Sequence, residues 1–177
     1  FYNASSDAYF YTADKSERNT ILLRSIKSES GSAEIQSAES TNSSYLETVN
    51  ATNLGKWQYF YLGSSFNAAS TNNAKSTAIH RFYNVDTGHH LWSIDPNEIA
   101  LIKSKWVSGE WSYRYEGTSY NVYGADPDPS NPAIGEEVYR LYNSNTGRHF
   151  YTADFEEIGL LQLTGQWSLE GVAFWGE

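Results

Sequence analysis

The chain has 177 residues, a formal net charge of −9 and a pI near 4.9, which argues against a nucleic-acid partner because phosphate binding needs a basic stripe. It has no cysteine, so disulfides and thiolate metal sites are ruled out. Aromatic residues make up 16%, including 14 Tyr and 6 Trp, more than a core of Leu, Ile and Val requires, and this excess points to a binding surface as well as a core.

The length suits one domain with a core of its own. No apolar run is long enough to span a bilayer and no signal peptide is visible. The acidity is compatible with a divalent-cation site, although acidity alone favours the simpler reading of solubility. The first residues, Phe1-Tyr2-Asn3, enter a motif that recurs twice downstream, here without the Arg that precedes it there, so the chain reads as a piece of a larger protein.

In chain order, Phe1 to Ala13 forms a clipped hairpin. Asp14-Lys15-Ser16-Glu17 is a helix start, with Ile21, Leu22, Leu23 and Ile26 as its apolar stripe. Residues 28–55, rich in Ser, Thr, Asn, Glu and Gly, read as an insertion, part loop and part helix (Ala33 to Glu39). Trp57 to Phe66 is a closing strand broken by Gly63, and Ala68 to Thr77 is a polar linker. A full copy of the hairpin follows at Arg81 to Asp95, then a helix opened by Asp95-Pro96, where Pro suits the first helical position, then a closing strand from Trp111 to Tyr120. Residues 124–136 form an acidic loop whose three prolines preclude helix or central strand. The third hairpin is Arg140 to Asp154, with turn residues Ser144-Asn145-Thr146-Gly147 and Gly147 expected at φ > 0. Asp154-Phe155-Glu156-Glu157 opens its helix, and Trp167 to Phe174 closes the unit.

The predicted fold is therefore α+β, a single ligand-binding domain over residues 1–177 made of three pseudo-repeats in a roughly three-fold arrangement. The units are 1–67, 79–123 and 138–177, each hairpin, helix, strand (ββαβ). Units of this length stack because they cannot bury their faces alone. Arg81 and Arg140, Asn84 and Asn143, Gly88 and Gly147, and Gly63, Gly117 and Gly171 recur at equivalent places, which assigns them scaffold roles. His90 and His149 also share a position and are expected to be packed and hydrogen-bonded. Adjacent His89 and His90 face opposite sides of a strand and cannot ligate one ion together, which disfavours zinc. No nucleophile elbow or marked carboxylate pair is present, so a binding module is expected rather than an enzyme.

Function is sought where the copies differ. Asp126, Asp128, Asn131 and Glu136 supply the hard oxygens that Ca²⁺ prefers, without the EF-hand's glycine and terminal glutamate; a rigid connector with solvated acids is the competing reading. The second unit has Trp92 where the third has Tyr, the constellation Tyr113-Arg114-Tyr115, and Lys103 on its helix. Arg114 between tyrosines could grip a carboxylate in a bidentate pair, or lie as an exposed strand residue against a Tyr ring.

The motif Tyr-Arg-Leu-Tyr-Asn-x-x-Thr-Gly-x-His-Phe-Tyr-Thr from Tyr139, followed by a helix and Trp-x-x-Glu-Gly-Val-Ala-Phe from Trp167, resembles a bacterial three-repeat surface-domain family. In length, acidity and lack of cysteine the chain is similar to the calcium-dependent peptide-binding domain of RTX adhesins of Gram-negative marine bacteria and Vibrio. That resemblance implies an extracellular adhesion module, with roles in biofilm and host attachment, that holds the C-terminal residues of proteins on another cell with the help of Ca²⁺. A carbohydrate-binding, lectin-like module is the alternative, since calcium and aromatic rings serve sugars equally well.

Overall fold

The structure, a computed structural model, describes residues 1–3, 6–25, 59–60, 62, 65–70, 74–126, 129–130 and 135–177. The expected insertion at 28–55 lies outside the described residues, as do Asp128 and Asn131. The chain divides into two compact units, Phe1–Ser64 and Ser65–Glu177.

The first unit contains β1 (Tyr2–Asn3), β2 (Ala8–Tyr9), α1 (Lys15–Ser25) and β3 (Tyr59–Phe60), in a three-stranded antiparallel sheet of order β2-β1-β3. Its hairpin turns through Asp7 at φ 51°, a left-handed position that Asp tolerates better than most residues. The Tyr2 hydroxyl donates to Asp7 Oδ1 at 2.8 Å, and the Tyr2 and Tyr9 rings lie 5.1 Å apart. Asp14 caps α1, its Oδ1 accepting from the backbone N–H of Ser16 (2.7 Å) and Glu17 (3.3 Å).

The second unit contains β4 (Ser76–Asn84), β5 (His90–Ser93), α2 (Pro96–Val107), β6 (Tyr113–Tyr123), β7 (Glu136–Asn143), β8 (Arg148–Thr152), α3 (Phe155–Leu163) and β9 (Trp167–Gly176). These strands form one antiparallel sheet of order β5-β4-β6-β9-β7-β8. The class is thus α+β, with strand the dominant element. Two hairpin–helix–strand segments, β4 to β6 and β7 to β9, lie side by side and meet at Tyr123↔Trp175 of β6 and β9. The outer strands β5 and β8 also touch. The Tyr151 hydroxyl accepts from the Trp92 N–H (3.0 Å) and donates to the Trp92 carbonyl (2.7 Å), with the two rings edge-to-face at 5.8 Å.

Local chemistry explains the elements. Asp95 accepts from the N–H of Asn97 with Pro96 at the first helical position, and Asp154 accepts from Glu156 and Glu157, so each helix starts where its carboxylate meets orphan amides. Gly88 and Gly147 turn their hairpins at φ 77° and 70°. Gly117 and Gly171 take φ 101° and 113° beside bulges in β6 and β9, where Glu116 and Glu170 are the extra residues between paired neighbours. One core gathers Phe82, Leu91 and Ile102 with Ile99 and Tyr113, and Leu141, Phe150 and Ile158 are buried at the corresponding places of the third segment.

Register corrects the expected closing strand of the second segment. β6 begins at Tyr113, not Trp111, because Asn84 pairs with Tyr113 just as Asn143 pairs with Trp167. Between the capping aspartate and the bulge glycine this segment is five residues longer than the third, three of them in α2 and two in the helix–strand connection, leaving the strand itself the same length up to its glycine.

Candidate functional site

The recurring arginines are ion-paired. Arg81 Nε lies 3.0 Å from Glu116 Oε2, and His90 Nε2 lies 3.6 Å from the same oxygen. Arg140 Nε lies 2.6 Å from Glu170 Oε2, with His149 Nε2 at 3.7 Å. Each segment thus carries one Arg–Glu–His cluster, built from the first strand, the bulge of the third and the second strand. Its carboxylate precedes the bulge glycine, so the recurring Glu-Gly dipeptide was the sequence signal for it. The close approach of the His90 ring is the main influence holding the Glu116 carboxyl down at about 2, against opposing desolvation and with help from Arg81 and Arg114. Burial pushes the His149 imidazole down to about 3, reinforced by the charge of Arg140.

In the third segment the cluster is extended. Arg140 Nη1 also binds Glu98 Oε2 of α2 at 2.9 Å. Burial tends to raise the Glu98 carboxyl, but the hydrogen bonds from Arg140 and Ser93 prevail and hold it below its ordinary value.

Beside this cluster opens a cleft of about 540 Å³. One wall is Tyr142, Gly147, His149 and Glu170 of the third segment; the other is the hairpin tip, α2 and the helix–strand connection of the second, including Glu98, Glu110, Trp111 and Tyr113. Tyr113 is half-buried, and burial raises its phenol above the usual range. Its hydroxyl approaches the Gly147 carbonyl at 3.5 Å, across the cleft. Trp111 is exposed at the rim, where Glu110 pairs with Lys105. The His149 side chain is 9% exposed, and its Nδ1 makes no hydrogen bond.

The five expected ligand residues do not converge. Strand alternation sends Arg114 to one face of β6 and Tyr113 and Tyr115 to the other, since Tyr83 pairs with Arg114 and Phe82 with Tyr115. Arg114 lies over the Tyr83 ring at 5.4 Å, contacts Glu116 at 3.3 Å and is half exposed. It occupies the place that Ser168 takes in the third segment. Tyr115 stacks with His80 and holds Lys103 Nζ 3.8 Å above its ring. Trp92 is 1% exposed and serves the β5–β8 junction. Only Tyr113 of the five lines the large cleft. Of the expected calcium ligands, Asp126 is half-buried in the loop after β6 and Glu136 is exposed at the start of β7. Glu98, Glu110, Trp111, Tyr142 and Glu170 were not singled out by sequence, and His149 only as scaffold, because the cleft arises between segments and no local motif announces it.

Among the described residues, no helix is long and apolar enough to cross a membrane. No curated protein and no solved structure matches the chain. A family model described as a domain of unknown function, DUF5648, matches residues 41–177. That match covers more than half of the chain, which therefore belongs to the DUF5648 family.

Proposed function

We propose that the chain is a ligand-binding module of an extracellular or cell-surface protein, built from three copies of one ββαβ unit, and that its ligand occupies the cleft between the second and third copies. Of the two ligand classes expected, a carbohydrate suits this cleft better than a peptide C-terminus. The observation that carries the reading is the lining: Trp111, Tyr113 and Tyr142 offer ring faces for sugar CH groups, and Glu98, Glu110 and Glu170 offer acceptors for hydroxyls. A terminal carboxylate needs an uncommitted cation, whereas Arg140 already serves two glutamates. The test is a glycan array followed by titration calorimetry of the best hit against wild type and Tyr113→Ala. Binding should be saturable and weaken at least tenfold in the variant, about 1.4 kcal/mol; unchanged affinity rejects the cleft.

A second reading keeps the adhesin-like peptide function on the opposite face of β6. It is favoured by Arg114, a half-exposed guanidinium standing where the third segment has Ser168. Free and amidated C-terminal peptides distinguish it, since only the free form presents a carboxylate to Arg114. Calcium belongs to this proposal through Asp126, Asp128, Asn131 and Glu136. If it binds, Ca²⁺ at 100 times its dissociation constant should stabilise the fold by about 2.7 kcal/mol, so thermal melts with and without chelator decide the matter.

A further inference from the structure

The cleft's charge identifies its ligand more narrowly. Glu98 and Glu170 both bind Arg140, so two carboxylates face one guanidinium. Both carboxylates remain partly accessible, at 25% and 34% side-chain exposure, and both line the cleft. His149, also in the lining, is only 9% exposed and held neutral by burial and by Arg140, so it does not balance the excess. At the rim, the charge of Glu110 is matched by Lys105. The cleft thus keeps about one uncompensated negative charge beside the ring faces of Tyr113, Tyr142 and Trp111. Carboxylate and aromatic faces together are the surroundings that attract an ammonium group.

We infer that the cleft selects a carbohydrate bearing a free amine, an amino sugar whose ammonium sits beside Glu98 and Glu170 while its ring lies along Tyr113 and Tyr142. The inference rests on the carbohydrate reading above and deepens it. A cationic peptide side chain would supply the same ammonium without the ring, and it enters as an outcome of the test.

Titration calorimetry at pH 6 on the full chain compares β-linked tetraglucosamine, its N-acetylated counterpart and tetralysine. The free-amine sugar is expected to bind at least tenfold more tightly than either. That advantage should shrink with added salt, as for a charge beside solvent, and largely vanish in Glu170→Gln. Glu156→Gln, an exposed carboxylate on α3 outside the cleft lining, should leave the amine sugar's affinity unchanged. Should Glu170→Gln fail to fold, Glu98→Gln provides the same readout. Equal or tighter binding of the acetylated sugar overturns the inference and leaves the carbohydrate reading standing. Tetralysine binding as tightly as the amine sugar overturns the sugar class. Binding of none of the three, with no amide shifts at Tyr113 or Gly147 in NMR spectra, overturns both.

Discussion

At the scale of single residues, the Arg–Glu–His clusters make stability depend on pH in two windows that overlap only between about 3 and 4.5. The Glu116 carboxyl sits at about 2 in the fold against an ordinary 4.5. Its stabilisation is therefore complete above about 4.5 and disappears as pH falls towards 2, because the unfolded chain takes the proton first. Glu116→Gln should cost about 1–2 kcal/mol at neutral pH, solvent screening of a partly exposed carboxylate keeping the loss modest, and should flatten that acid limb in urea melts collected across pH. His149 acts higher. With its imidazole at about 3 in the fold and 6.5 when free, the unfolded chain alone is protonated between those values, so stability falls as pH drops through that interval. His149→Gln should reduce the slope of stability against pH there and leave the slope below 3 nearly unchanged. A slope identical to wild type across that interval means the imidazole is not held neutral by its burial.

At the scale of elements, what was legible in the sequence is what is local. Asp14, Asp95 and Asp154 announce their helices because a carboxylate two or three residues ahead of free amides is a short-range device. Gly147 announces its hairpin because left-handed backbone penalises other residues. The tight triplet Tyr113-Arg114-Tyr115 does not gather on one face because neighbours in sequence are opposite in space on a strand, and Arg114 lies as an exposed strand residue against the Tyr83 ring. The Arg140–Glu170 pair, 30 residues apart, and the Trp92–Tyr151 junction, 59 apart, follow from sheet order, which no local spacing encodes. That junction carries its own prediction. Tyr151→Phe keeps the ring yet removes both hydrogen bonds to the buried Trp92 backbone, at a cost of about 1–3 kcal/mol. Thermal unfolding should show the loss, with hydrogen exchange accelerating first at β5 and β8. A melting temperature unchanged by the mutation would falsify the idea that the hydroxyl holds the outer strands together.

At the scale of the whole molecule, Ser65–Glu177 has what an independent fold requires. Its six strands form one sheet, its helices are capped by their own aspartates, and its outer strands are joined through Trp92 and Tyr151. Residues at most 1% exposed lie in both segments, Ile79, Phe82 and Val122 in one and Val138, Leu141 and Phe174 in the other, and the β6–β9 pairing and the Trp92–Tyr151 contact join the two across the sheet. Close packing of that kind makes unfolding cooperative, because removing either half exposes the other's apolar face. The fragment 65–177 should therefore fold alone, giving dispersed NMR amides and a single thermal transition. It should also keep the cleft, since every lining residue from Asn84 to Glu170 lies within it. A narrower fragment, 136–177, retains β7, β8, α3 and β9 but loses β6, which pairs the end of β9 at Tyr123↔Trp175, and the Trp92 backbone that Tyr151 binds. It is expected to be molten or aggregated. Cooperative melting of 136–177 at the temperature of 65–177 would instead make each segment self-sufficient, and the cleft between them an accident of docking rather than a product of shared folding.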